Sequence, residues 1–391
     1  MNEISGVIVR ECPPYIIQLY RASSILLMRH SHCLFLLFPV ALAAQGARTM
    51  SVEEYDPRST LKVPAHLVPR AKFPFVDVHG HQSLQLSTDQ LDRLVGEMDA
   101  MNMRVMVNLS GRQGDALAAG VRNYSRHKNR IVVFANLDFR GIEDPAWGTN
   151  AAAQLERDVQ AGAVGLKIFK NLGMEVYDAS GKRVAVDDTR LDLVWDKAGA
   201  LNIPVLIHTG EPSEFFQPID NHNERWLELV THAGRARPPD RFPSFEQLMT
   251  EQHNMFRKHP RTRFINAHLG WLGSDLARLG ALMDSLPNMY TELGAVLYEF
   301  GRQPKFAREF LTRYQDRVMM GKDSYAANEY PVYFRVFETG DEYFDYYRKY
   351  HAFWKMYGLQ LPDSILRKIY YENALKVIPG IDRSQFPAVT R

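Results

Sequence analysis

The chain has 391 residues, 46% hydrophobic and 24% charged, an ordinary globular composition long enough for one large α/β domain or two smaller ones. Lys plus Arg number 47 against 45 Asp plus Glu, and no basic stripe interleaved with aromatics is present, which argues against a nucleic-acid partner. Dinucleotide glycine fingerprints, phosphate-cradling loops, serine elbows and zincin helix motifs are also absent from the sequence.

The first segment differs in character from the rest. Met28-Arg29-His30 is a short basic start to an apolar run from Cys33 to Ala44, and Ala41-Leu42-Ala43 fits a small-x-small cleavage site. The run is shorter than the roughly 20 residues that span a bilayer. Residues 1–44 therefore read as an upstream extension and a signal peptide, with a start at Met28 and cleavage near Ala43. That makes the protein an exported one (periplasmic or secreted) with no stable membrane span after processing. Cys12 and Cys33 are the only cysteines and both precede the cleavage point. The mature chain would hold any metal through nitrogen and oxygen alone.

Residues 45–72 read as a linker or wrapping arm. From Phe73 a rhythm sets in. Strand-like runs occupy 75–79, 104–108, 131–136, 163–169, 203–208, 262–267, 288–292 and 317–321. Helix-period segments lie near 89–101, 114–127, 150–161, 188–201, 244–258, 274–285 and 303–314, and a last helix fits 363–376. Eight alternations over roughly 300 residues predict a (β/α)8 TIM barrel over 73–380, with 381–391 as a tail; an open doubly wound sheet is the alternative. Two long loops follow strands 5 and 8, at 209–240 and 325–360. Both leave strand C-termini, the face where barrel enzymes build their sites, and are expected to wall the pocket.

Chemistry-bearing residues fall at those same strand ends. Phe75-Val-Asp-Val-His-Gly-His81 closes the first strand with two imidazoles at i and i+2, a spacing that suits one metal ion. His208 ends the fifth strand, His268 the sixth, and Asp323 the eighth. Each alone is an ordinary polar residue. His79, His81, His208 and Asp323 at converging strand ends predict a centre of three nitrogens and one carboxylate for a divalent cation, Zn²⁺ first, with Mn²⁺ or Fe²⁺ as alternatives, and His268 reads as a non-ligand or an alternate ligand. His222, His232, His253 and His351 read as surface residues.

The sequence resembles the metal-dependent amidohydrolase superfamily, in the amidohydrolase-related group that also contains aminocarboxymuconate-semialdehyde decarboxylase-like enzymes. The resemblance spans about Phe73 to Gly380. It rests on Asp77-Val-His79-Gly-His81, Gly165-Leu-Lys-Ile, Ile207-His208, Ala267-His268-Leu-Gly, Gly321-Lys-Asp323-Ser and Tyr371-Glu-Asn373-Ala374. It implies His79, His81, His208 and Asp323 as ligands of one metal. It further implies Asp323 as acceptor of a proton from the metal's water and His268 as a group beside that water and the substrate. Lys167 on strand 4 is the candidate for a lysine that bridges two metals or meets a substrate anion.

Rim residues complete the expectation. Glu292 is a candidate to meet substrate or a second metal, with an ion pair to Lys167 or Arg225 as its structural alternative. On the fifth loop, with Glu211 and Asn221, Arg225 offers a planar fork for a substrate carboxylate. Tyr325 offers a phenol. The expected activity on a small-molecule substrate is attack of metal-activated water on an ester, lactone or amide carbonyl. A non-oxidative decarboxylase on the same scaffold is the alternative, and a non-catalytic ligand-binding barrel a third reading. The sequence leaves room for a homo-oligomer.

Overall fold

The computed structural model describes residues 50–51 and 54–388. The chain divides into two units, Met1–Ser51 and Val52–Arg391, and the second holds nearly all of the described residues. The proposed upstream extension and signal peptide lie outside the described residues.

The second unit is built on eight parallel strands in the order β1 to β8: Phe75–Gly80, Met103–Asn108, Ile131–Asn136, Ala163–Ile168, Val205–Ile207, Phe264–Asn266, Met289–Glu292 and Val318–Met319. β8 returns to β1. Val78 N donates to Met320 O at 3.0 Å, Asp323 N donates to His79 O at 2.7 Å, and Gly80 bridges Asp323. The (β/α)8 barrel expected from the rhythm of the sequence is therefore the observed fold, and the open sheet is ruled out. The strands are Val-, Ile-, Met- and Phe-rich and almost wholly buried, as parallel strands covered on both faces must be.

Twelve α-helices occur among the described residues. They are α1 (Thr88–Met101), α2 (Gly114–Asn123), α3 (Trp147–Gln160), α4 (Asp192–Ala200), α5 (Trp226–Thr231) and α6 (Phe245–Lys258), then α7 (Leu276–Ser285), α8 (Leu297–Gly301), α9 (Pro304–Arg313), α10 (Tyr330–Glu338), α11 (Asp363–Arg367) and α12 (Asn373–Val377). α1 shows why such segments form. Ser87 and Gln90 make a reciprocal capping box, Leu91, Leu94, Val95, Met98 and Met101 form one buried stripe, and Asn102 ends the helix in a left-handed conformation (φ 72°).

The insertion after β8 departs from expectation. It is not simply a pocket wall. Its first part forms α10, and Tyr330, Tyr333, Phe334 and Phe337 are fully buried. Tyr330 and Phe334 pack on Phe75 at the start of β1 (ring centroids 6.0 and 5.4 Å), and the Tyr330 hydroxyl donates to Asp77. The aromatic richness of the insert is thus mainly core. Only the segment after α10 reaches the site.

Residues 54–72 carry no regular element. Asp56 pairs with Lys349 at 2.5 Å, and His66 N donates to Asp341 at 2.7 Å.

Candidate metal centre

Burial dictates how the first-strand histidines are held. Asp77, inside the wall, accepts from His79 N (2.9 Å), Lys322 N (3.2 Å) and the Tyr330 hydroxyl (2.5 Å). One carboxylate thereby locks the end of β1 to the end of β8, and His79 meets Asp323. Gly321 permits the approach: a Cβ there would fall 2.1 Å from Glu292 Oε2 and 3.1 Å from His79 Cβ.

His79, His81 and Asp323 offer ligand atoms that all lie within 4.8 Å of one another. Asp323 Oδ1 is 3.6 Å from Nε2 of both imidazoles. A second such group is His79, His268 and Glu292. His208 is outside both groups. It adjoins them through His268, its Nδ1 lying 3.3 Å from His268 Nε2. The tight cluster is thus narrower than the expected set of four.

The hydrogen bonds sort the imidazole nitrogens. His79 Nδ1 is 3.0 Å from Glu292 Oε1, and His81 Nδ1 is 2.8 Å from Ser110 Oγ. His268 Nδ1 is 2.7 Å from Gly294 O, a pure acceptor, so it carries the proton. His268 Nε2 is then an acceptor for His208 Nδ1–H. In His79 and His208 the Nδ1 proton is committed and Nε2 is left with a lone pair, while His81 Nδ1 meets a hydroxyl that can donate or accept. His79 Nε2 and His208 Nε2 are buried and have no hydrogen-bond partner. Buried orphaned acceptors of this kind fit a cation. Electrostatics agree. Burial and the neighbouring Lys167 hold His79 and His81 below the usual imidazole range, His81 at about 4, and burial and His268 do the same for His208. The three rings are neutral near pH 7, as a metal ligand requires. Burial raises the Asp323 carboxyl, but the surrounding imidazoles and Lys167 outweigh it and bring it to about 2.

His268 stands on a conformation that no apolar pattern announces. Residues His268, Leu269, Gly270 and Trp271 all have φ between 57° and 61°, one turn of left-handed helix. The three non-glycine residues each cost about 1–2 kcal/mol in that region. Gly270 is required, since a Cβ would lie 2.3 Å from Asn266 Nδ2. The turn is held by His268 N donating to Glu292 Oε1 at 2.7 Å and by Trp271 stacking on His268 (4.5 Å, 27°). Strain retained at a cleft marks a functional position.

Lys167 is buried, and its Nζ has no hydrogen-bond partner. Burial lowers its pKa to about 8 against the opposing pull of Asp323 and Glu292.

The three rim candidates already have partners within the fold. Glu292 is fully buried and pairs with neither Lys167 nor Arg225. Its two oxygens accept from His79 Nδ1, His268 N and Gly294 N (2.6 Å), so it orients imidazoles, and with His79 and His268 it belongs to the second group that could hold a metal. Arg225 is buried, and its fork is committed to Glu228 (Nε at 2.8 Å) and the Tyr298 hydroxyl. Tyr325 donates its hydroxyl to Glu97 on α1 at 2.7 Å.

A cavity of about 170 Å³ adjoins the centre, with His208, His268, Trp271 and Asp323 in its wall. A larger groove of about 990 Å³ runs past His81 beside Ser110 and Arg112. His351, expected on the surface, is buried and lines the smaller cavity; His253 is buried as well. Trp271 also went unforeseen. Its only sequence signal is its place three residues after His268, at the end of a turn whose handedness is not encoded locally.

A parallel eight-stranded barrel that gathers imidazoles and a carboxylate at its strand ends defines the class of metal-assisted barrel enzymes. The profile of the family described as Amidohydrolase matches residues 76–380, and the chain belongs to that family. No match is found among curated proteins. Among solved structures, one similar chain is a Staphylococcus aureus protein assigned to the amidohydrolases (16% identity, 78% of this chain and 99% of that one, TM-score 0.51). A second is a dihydroxybenzoic acid decarboxylase from Polaromonas sp. with bound manganese and 2-nitroresorcinol (15% identity, 78% and 96%, TM-score 0.50). At these identities the likeness is one of fold.

Proposed function

We propose that the protein is a metal-dependent hydrolase of the amidohydrolase superfamily acting on an ester, lactone or amide carbonyl. The observation that carries the reading is the set of three neutral imidazoles, two of them with Nδ1 committed and Nε2 free, beside an ionised Asp323. His79, His81, His208 and Asp323 would hold one divalent cation, Zn²⁺ by the nitrogen-rich donor set. Such a cation supplies an acidified water and a Lewis acid for a carbonyl oxygen. Asp323, ionised at neutral pH, would be the acceptor for a water proton and its carrier to the leaving group. His268, its Nδ1 proton fixed on Gly294 O, stands against the cavity and orients the reacting groups. Lys167, buried with no partner on Nζ, would bridge two metals as a carboxylated neutral amine or meet a substrate anion as a cation.

Carbon–carbon cleavage is the second reading, supported by the fold likeness to a manganese-containing decarboxylase. Elemental analysis of protein made without added metal, followed by assay on lactone, ester, amide and aromatic-acid panels, separates the two. About one equivalent of metal per chain and released acid or amine are expected. Released CO₂ would move the assignment to the lyase, two equivalents would give Lys167 the bridging role, and full activity after chelation would sink both readings.

The basic, apolar and small-residue order of residues 28–44 supports export of the mature chain. N-terminal sequencing of the extracytoplasmic protein is expected to begin after Ala43; a mature form that retains His30 would refute this.

A further inference from the structure

Two compartments adjoin the metal-binding cluster, and their chemistry differs. The smaller cavity has paired charges in its wall, Arg225 and Arg235 against Glu228 and Lys170 against Glu211. The groove of about 990 Å³ has Arg112 as its one charged lining residue besides the neutral His81.

The cluster opens into the groove through His81. The His79 side chain is 1% exposed, that of His81 is 29% exposed, and His81 lines the groove. Its Nδ1 meets Ser110 Oγ, another groove residue, at 2.8 Å, while its Nε2 lies 3.6 Å from Asp323 Oδ1. The ring thus joins the groove wall to the carboxylate of the centre.

The groove wall presents hydrocarbon. Leu84 comes from the loop after β1, and Ala116, Ala119 and Gly120 come from α2. Gly120 seats that loop on the helix, since a Cβ there would fall 2.6 Å from Leu84 Cδ2. Polar neighbours are engaged within the fold. Ser83 Oγ accepts from Gln85 N at 3.2 Å, and Asn123 Nδ2 donates to Leu84 O (3.1 Å) and Leu86 O (2.9 Å). Methyl groups and a leucine bordered by engaged polar groups favour methylenes over strongly hydrated groups. The smaller cavity offers about 170 Å³ between paired charges, which a methylene chain would desolvate without compensation.

We propose that the groove receives an aliphatic chain of the substrate, laid along Leu84, Ala116 and Ala119 from a carbonyl held at the centre. The proposal rests on the hydrolase reading and narrows its substrates to medium-chain esters, lactones or amides.

The test has two arms, each on the full chain. In the first, kcat/KM of the metal-loaded protein is measured on p-nitrophenyl acetate, butyrate, hexanoate and octanoate. It is expected to rise about tenfold or more from acetate to octanoate, each buried methylene being worth up to about fourfold. Ala119→Phe fills the groove from an exposed position of α2, and Ala116→Phe does so one turn earlier. Each should lower the octanoate-to-acetate ratio about tenfold, with thermal melting as the check on folding. In the second arm, protein stripped of metal by chelation is titrated calorimetrically with acetamide, hexanamide and octanamide. Octanamide is expected to bind about tenfold more tightly than acetamide, and both variants should erase the difference. A length effect in the second arm that the variants erase supports the groove even where no ester is turned over, so failure of the hydrolase reading is told apart from failure of this one. Independence of chain length in both arms, or a length effect that both variants leave intact, would overturn the proposal, even with metal retained and esters hydrolysed.

Discussion

Asp323→Asn is expected to fold as the wild type does and to lose turnover by about 10²–10⁴-fold, the usual worth of a positioned proton acceptor. Asp323 sits at φ 77°, a region that Asn and Asp tolerate best among non-glycine residues. Its N–H donation to His79 O and its bridge to Gly80 are main-chain features that the substitution leaves in place. What changes is the charge. An ionised carboxylate 3.6 Å from two imidazole Nε2 atoms becomes a neutral amide that cannot take a proton at neutral pH. Thermal melting should be nearly unchanged, and excess metal should not restore turnover. Near-normal kcat in this variant would remove Asp323 from the mechanism.

The second large effect is expected at a residue that touches no substrate. Glu292→Gln should lower metal affinity by about 10–100-fold, the range seen when a group that orients a ligating histidine is altered. Three donors converge on the two Glu292 oxygens: His79 Nδ1, His268 N and Gly294 N. Glutamine has one oxygen, so its amide nitrogen must confront at least one N–H in a site from which water is excluded. One buried donor without an acceptor costs about 1–3 kcal/mol, and melting should fall accordingly. Unlike Asp323→Asn, this variant should regain much of its turnover when metal is supplied in excess. Measured metal dissociation and kcat at saturating metal distinguish the two. Wild-type metal affinity in Glu292→Gln would show that the ring orientation of His79 does not depend on this carboxylate.

Both predictions concern strand ends, and the two residues were legible to different degrees. Asp323 closes an apolar run, and its chemistry can be read from residue type and position together. Glu292 also closes an apolar run, yet its role could not be read: it joins His268, 24 residues away, to His79, 213 residues away. Arg225 shows the opposite error. A lone arginine on a polar loop reads as available, and only the folded loop brings Glu228 and Tyr298 onto its fork. Tyr325 follows the same logic, claimed by Glu97 from α1.

The aromatic segment after β8 went astray for a related reason. Its Tyr and Phe content suits either a lid or a core helix, and composition does not choose between them. The choice is made by Phe75 and Asp77, which offer α10 an apolar face and an acceptor. The left-handed turn at His268–Trp271 is the extreme case. Local preference opposes it, and it persists because Glu292, Gly294 and the packed rings fix both of its ends.

The sequence by itself determined the eightfold alternation and the position of each imidazole and carboxylate at a strand end, because both follow from local pattern: short continuous apolar runs in the buried strands, a period of 3.6 in the covering helices. The tertiary structure alone decided which nitrogens of His79, His208 and His268 are committed and which charged side chains are already paired. Those properties depend on donors and acceptors brought together from opposite ends of the chain when β8 closes on β1, and no local pattern carries that information.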